Sequence, residues 1–130
     1  HPVEWNIGEA AGLVAAFAVE QGKTPQAIRE DKTLLRALQK EMLAEGVPLC
    51  WLIDVPVWSL DFAAIQRLVM AGGYGSKGDR LEFEPDKPVT DEDRTVWLAG
   101  SAGRRGTALC GDKPFSRAAF ARAMLEFGHV

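Results

Sequence analysis

Residues 7–19, IGEAAGLVAAFAV, constrain this sequence more than any other stretch, because apolar residues fall on every side of a helix drawn through them. Asn6 with Glu9 three positions later has the spacing of a reciprocal cap, in which each side chain satisfies a backbone N–H that a first turn leaves unpaired. The spacing predicts a helix from about Ile7 to Gln21, stopped by Gly22. Ile7, Ala10, Ala11, Leu13, Val14, Ala15, Ala16, Phe17, Ala18 and Val19 leave it without a polar side, and such a helix is expected to be surrounded by protein. Few small domains carry enough other structure to surround their own first helix.

The chain has 130 residues, the size of one ordinary domain or of two small units sharing a core. Hydrophobic residues make up 47% and charged residues 25%, as in a globular protein, and a net charge of −3 gives no electrostatic reason to bind nucleic acid or an anionic membrane. The apolar run is too short to span a bilayer, and Glu4 and Glu9 flank it where a secretion signal would carry positive residues. No targeting segment is visible. Cys50 and Cys110 can pair in an oxidising compartment or stay as buried thiols, so the compartment is left open.

Helical signals continue along the chain. Thr24–Pro25 caps and opens a short helix to about Arg29. Asp31 caps the next, whose Leu35, Leu38 and Met42 recur at helical spacing up to Gly46. Val47–Ile53, interrupted by Pro48, reads as a connector. A further helix from about Ser59 to Ala71 places Phe62, Ile65, Leu68 and Val69 on one face and ends at Gly72–Gly73, and Arg80–Glu84 reads as a brief extended piece. Thr90 caps a helix with Asp93 in the capping-box position, carrying Val96, Trp97 and Leu98 to Gly100. After a glycine-rich loop over 100–113, Ser116 caps a helix bearing Phe120, Ala123, Met124 and Phe127, with Phe115 and Phe120 spaced as a hydrophobic staple. The expectation is a mainly α fold, a small bundle of about five helices with at most one short extended β segment. PDKPVTDEDRTVWL (85–98) and GDKPFSRAAFARAML (111–125) echo each other, either as a repeat or because Pro-apolar-hydroxyl is a common way to start a helix.

Catalytic constellations are absent from the sequence. The only histidines are His1 and His129, so neither a Ser-His-Asp nor a Cys-His arrangement can be argued, and the two cysteines have no zinc-type spacing. Gly100-Ser101-Ala102-Gly103 is no nucleophile elbow, since Ala99 stands where the first glycine should be. Residues 73–78, GYGSKG, satisfy G-x-G-x-x-G, but the order here is helix, glycines, extended chain, whereas a dinucleotide cradle needs strand, glycines, helix. They read as a turn. Asp91, Glu92 and Asp93 read as first-turn acids favoured by the helix dipole, and Arg104, Arg105, Arg117 and Arg122 as a solvated basic surface. Trp5, Trp51, Trp58 and Trp97 read as core and edge packing.

HPVEWNIGEAAG (1–12) resembles the C-terminal segment of FAD-dependent oxidoreductases with two dinucleotide-binding domains, in which a His-Pro stretch leads into a Gly-Glu-Ala-Ala-Gly helix near the flavin. The likeness continues through LVAAFAVEQGKTPQAIRED to about residue 31. In that family the helix N-terminus faces the flavin, so the resemblance makes Asn6, Ile7, Gly8 and Glu9 the flavin-facing residues and Ala11 and Gly12 packing ones. It implies FAD as cofactor of an intact parent, none in this piece alone, and a partner in the missing N-terminal flavin-binding part.

Residues 54–98 are similar to an S-layer homology module, through Asp54, Val55, Pro56, Phe62, Ala64, Ile65, Leu68, Gly72, Phe83, Pro85, Pro88, Val89 and Thr90. Trp58 stands two places early, and Asp91 replaces the arginine that contacts polysaccharide in that family; only Ser116-Arg117-Ala118 restores the pattern. The two resemblances divide the chain into a flavin-side segment, 1–48, and an S-layer-homology-like helical module, 49–130. The leading expectation is a C-terminal domain of an FAD-dependent oxidoreductase, non-catalytic alone and serving packing, docking or positioning, with a homodimer through the first helix as a further possibility. The alternatives are a wall-polysaccharide module binding through Arg117, at the cell surface or in the periplasm, and a helical protein-interaction domain.

Overall fold

A proline at the first helical position has no N–H to leave unpaired, and Pro2 begins the first helix of the computed structural model, α1, Pro2–Gln21. The structure describes residues 2–73, 81–100 and 115–126. Two compact units make up the chain, His1–Leu49 and Cys50–Val130. Six helices stand among the described residues, with no strand, which is the mainly α fold that the patterning predicts.

In the first unit, α1 ends where Gly22, at φ +59°, turns the chain left-handed. Lys23 N–H then donates to the Ala18 carbonyl at 3.0 Å and Gly22 N–H to that of Val19 at 3.1 Å, closing the last turn. Thr24 accepts from Ala27 N–H at 3.2 Å and opens α2, Pro25–Glu30. Asp31 ends that helix through its own N–H and starts α3, Lys32–Ala44, where its Oδ1 accepts from Thr33 and Leu34 at 2.9 and 3.2 Å. Gly46, at φ +77°, repeats the closing motif of α1, with Val47 N–H donating to the Met42 carbonyl at 2.8 Å. Phe17, Ala18, Ile28 and Leu38 form the core among these helices, flanked by Val14, Leu34 and Met42.

The second unit holds α4, Phe62–Leu68, α5, Asp91–Gly100, and α6, Arg117–Glu126. The helix expected from Ser59 begins three residues later. Ser59 closes a tight turn instead, accepting from Asp61 N–H on its hydroxyl and from Phe62 N–H on its carbonyl. A π-helical turn, Val69–Gly73, follows α4 and contains Gly72 at φ +83°. Gln66, 1% exposed, pins the chain leading in: its Oε1 accepts from Cys50 N–H at 2.7 Å and its Nε2 donates to the Cys50 carbonyl at 2.9 Å. Residues 81–84 are extended but form no strand, and Asp54 holds them by accepting from the N–H groups of Phe83 and Glu84.

The caps expected for α5 and α6 are present. Thr90 and Asp93 exchange hydrogen bonds at 3.1 Å each, and Ser116 Oγ accepts from Ala119 N–H at 3.2 Å. The two echoing helix starts lie side by side: Pro88 and Ser116 form an antiparallel bridge, with Val89 N–H donating to the Phe115 carbonyl at 2.9 Å. Beneath them Phe83 stacks on Trp97, centroids 5.8 Å apart, and Trp97 meets Phe120 at 5.3 Å. Residues 74–78 of the glycine-rich turn, Arg80, residues 101–113 of the glycine-rich loop, Cys110 and Phe127 lie outside the described residues.

Candidate functional site

At 100° per residue, α1 sets Asn6, Ala10, Leu13, Val14, Phe17 and Ala18 toward one side and Trp5, Gly8, Gly12, Ala15, Ala16 and Val19 toward the other. Burial follows that division. Phe17 and Ala18 are buried and Asn6, Ala10, Leu13 and Val14 partly so, while every residue of the second set is exposed, Trp5 at 74% and Val19 at 83%. A helix with no polar side is therefore covered on one side only, contrary to the expectation that protein surrounds it. Side chains built at Gly8 or Gly12 would meet nothing within 4 Å, so nothing in the described residues requires glycine at either position.

The cap reading of Asn6 is also corrected. In a helix beginning at Pro2, the N–H groups of Asn6 and its successors are bonded to carbonyls four residues earlier, and the unpaired ones lie in the first turn. Residues 2–5 are already helical, so Asn6 and Glu9 are interior positions of α1. Of the four residues expected to face a flavin, Asn6 is half-buried on the core side, whereas Ile7, Gly8 and Glu9 are exposed. Successive residues point 100° apart, so the helix does not gather the four on one face; Gly8 alone sits at the centre of the open side.

Arg117, the candidate for polysaccharide, lies at the start of α6 with its side chain 12% exposed. Its Nη2 and Nε reach the Asp93 carboxylate at 3.1–3.2 Å, and its Nη1 donates to the Phe83 carbonyl at 2.9 Å and to Glu84 Oε2 at 3.1 Å. This fork ties α6 to α5 and to residues 83–84, where Glu84 takes the left-handed φ of +58° and also pairs with Lys87. Arg122 pairs with Asp61. The basic surface expected from the arginines thus has two members engaged with acids, while Arg104 and Arg105 lie outside the described residues.

The tryptophans divide unevenly. Trp97 is a core residue as expected, 1% exposed, but Trp5, Trp51 and Trp58 stand at 74%, 50% and 83%. Burial pushes the half-buried Cys50 thiol above its ordinary pKa. Among the described residues, no His/Cys/Asp/Glu group is placed to hold a metal ion, and no helix is long and apolar enough to cross a membrane.

The open helix lies wholly within the one stretch that a known family accounts for. Residues 1–42 match the family model of FAD dependent oxidoreductases. No curated protein and no solved structure matches the chain. The match covers α1, α2 and most of α3, and it lends no support to the S-layer resemblance of residues 54–98. FAD is the cofactor of that family. At Gly8 and Gly12 of the matched stretch nothing lies within 4 Å of the missing side chains.

Proposed function

We propose that the first unit is a flavin-side segment of an FAD-dependent oxidoreductase, with α1 as one wall of the flavin site, and that the chain is non-catalytic by itself. The observation that carries this reading is the coincidence of the family match, residues 1–42, with the open, glycine-bearing side of α1. Of Asn6, Ile7, Gly8 and Glu9, the flavin-side residues that the resemblance implies, Gly8 lies at the centre of that side and is the proposed point of closest approach. FAD, when bound, supplies the redox chemistry of the reaction. The chain's own part is to admit close approach at Gly8 and Gly12 and to exclude water with the exposed Trp5.

The covering partner is a flavin-binding part built on a strand-glycine-helix unit, which supplies the ADP-binding contacts that these residues lack. The second unit serves docking or positioning. Its Trp51, Ile53 and Leu81 are each at least half exposed, and Ile53 N–H bonds to the Leu81 carbonyl at 2.9 Å, which brings two of the three together.

The test is flavin retention after gel filtration of the chain joined to its flavin-binding part. Gly8→Leu places a branched side chain on the open side and is expected to lower retention about tenfold or more, the equivalent of roughly 1.4 kcal/mol of binding. The same substitution leaves the 130-residue chain folded. Equal retention by Gly8→Leu and wild type removes the reading.

A further inference from the structure

We infer that the outward side of α3 docks an acidic protein surface, separate from the partner that covers α1. Lys32, Arg36 and Lys40 follow one another at four-residue intervals along this helix, and all three are exposed. On an ideal helix they occupy an arc of about 80° and about 12 Å of length. Leu34, Leu38 and Met42 pack on the other side of α3, so the cations stand where the helix turns away from its core. The row works against the helix that carries it. Like charges one turn apart repel, and Lys32 holds the first helical position, where the dipole disfavours a cation. No acid stands three or four residues from any of the three, and among the described residues no carboxylate is within ion-pair reach of them. The nearby acids are placed otherwise. Asp31 accepts from Thr33 and Leu34 N–H, and Glu41 lies on a different side of α3, beyond Thr33, Ala37 and Ala44.

Charge on α3 is thus sorted by side instead of interleaved, and carboxylates from outside supply what the fold does not. A convex helix side has no hollow for a small anion, and a chain of net charge −3 with Glu41 beside the row repels a polymer as densely charged as nucleic acid. A protein surface with carboxylates about 6 Å apart, the spacing of the row itself, is the match. α1, α2 and α3 each touch the other two around Phe17, Ala18, Ile28 and Leu38, so the outward sides of α1 and α3 diverge. A partner seated on the open side of α1 leaves the row accessible. The inference stands apart from the flavin-side reading, although all three cations fall within the matched residues 1–42.

The test titrates the 130-residue chain with a synthetic helical peptide bearing glutamate at every fourth position, in about 0.1 M salt. NMR amide shifts are expected to move along 32–40 and not along α1. Arg36→Glu should weaken the Kd about tenfold, because it sets a carboxylate against the probe's own. The same change replaces two like-charge contacts in α3 by opposite ones, so this variant is expected to unfold no earlier than wild type. Lys23→Glu, at an exposed cation between α1 and α2, alters net charge equally and is expected to shift the Kd less than about twofold. Equal weakening by the two variants reduces the effect to net charge and overturns the inference. So does an absence of binding, or a tighter hold on a short DNA duplex than on the peptide. Gly8→Leu should leave the peptide's Kd unchanged, so failure of the flavin-side reading and failure of this one are read separately.

Discussion

The two units solve the same problem differently. His1–Leu49 is three helices joined by caps, with a small core around Phe17, Ala18, Ile28 and Leu38 and one whole side of α1 uncovered. Cys50–Val130 contains much irregular chain, and it holds that chain with side chains reaching across sequence: Gln66 on Cys50, Asp54 on Phe83 and Glu84, and Arg117 on Asp93, Glu84 and the Phe83 carbonyl. The second unit also stacks Phe83 on Trp97 and tilts Trp97 against Phe120, and both units leave large apolar side chains exposed, Trp5, Ile7 and Val19 in the first and Trp51, Trp58 and Leu60 in the second. What the contrast teaches is that the stretch matched by an enzyme family is joined by local caps and carries its exposed large apolar residues along one helix, α1.

The contrast can be broken most severely at Trp97, which touches Phe83 on one side and Phe120 on the other. Trp97→Ala is expected to cost the second unit about 3–5 kcal/mol in denaturant unfolding, with amide protection in α1–α3 unchanged. A loss shared equally by both units would show that they are not separate. Next is Arg117→Met, which leaves Asp93 and Glu84 facing each other without their shared cation. A loss of about 3 kcal/mol, moderated because these side chains keep some contact with water, is expected by the same measurement. A variant as stable as wild type would mean that the fork is dispensable.

Cys50 sharpens the description of the second unit without a change of sequence there. Its thiol pKa is raised by burial, so the folded state binds this proton more tightly than the unfolded one. Stability from this group is full below the unfolded thiol pKa and is lost as pH rises through the folded one. Alkylation of Cys50 in a Cys110→Ser background is accordingly expected to reach half its maximal rate at a higher pH in the folded chain than in denaturant; coincident profiles would contradict the burial. The smallest expected effect is in α1. Gly12→Ala meets no neighbour and removes a helix-interior glycine, so the isolated chain should gain about 0.5–1 kcal/mol. Destabilisation would mean that something already packs on that side.

Most of the helices were legible because their ends are written locally. Thr24–Pro25, Asp31, Thr90 with Asp93, and Ser116 each cap as their residue types require, and Gly22 and Gly46 end helices through positive φ. Two starts were misread for a common reason, that a hydroxyl or amide side chain serves turns and caps alike. Ser59 closes a turn, and Asn6 sits inside a helix that already includes residues 2–5. The fate of Arg117 was not legible at all, since its partners lie 24 to 34 positions away and sequence spacing carries no signal for such contacts. Which of the four tryptophans would be core and which edge was likewise hidden, because a large aromatic fits either place until the core around it is known.

The central claim is that the open side of α1 is a wall awaiting the rest of a flavin site, and the most direct measurement is of that side itself. Ala15→Cys, in a Cys50→Ser, Cys110→Ser background, places a thiol among the exposed small residues of α1. In the 130-residue chain it should alkylate at the rate of a free thiol. Joined to the flavin-binding part with FAD bound, it should be protected at least about tenfold, as burial in a formed interface requires. Equal rates in the two states would contradict the account.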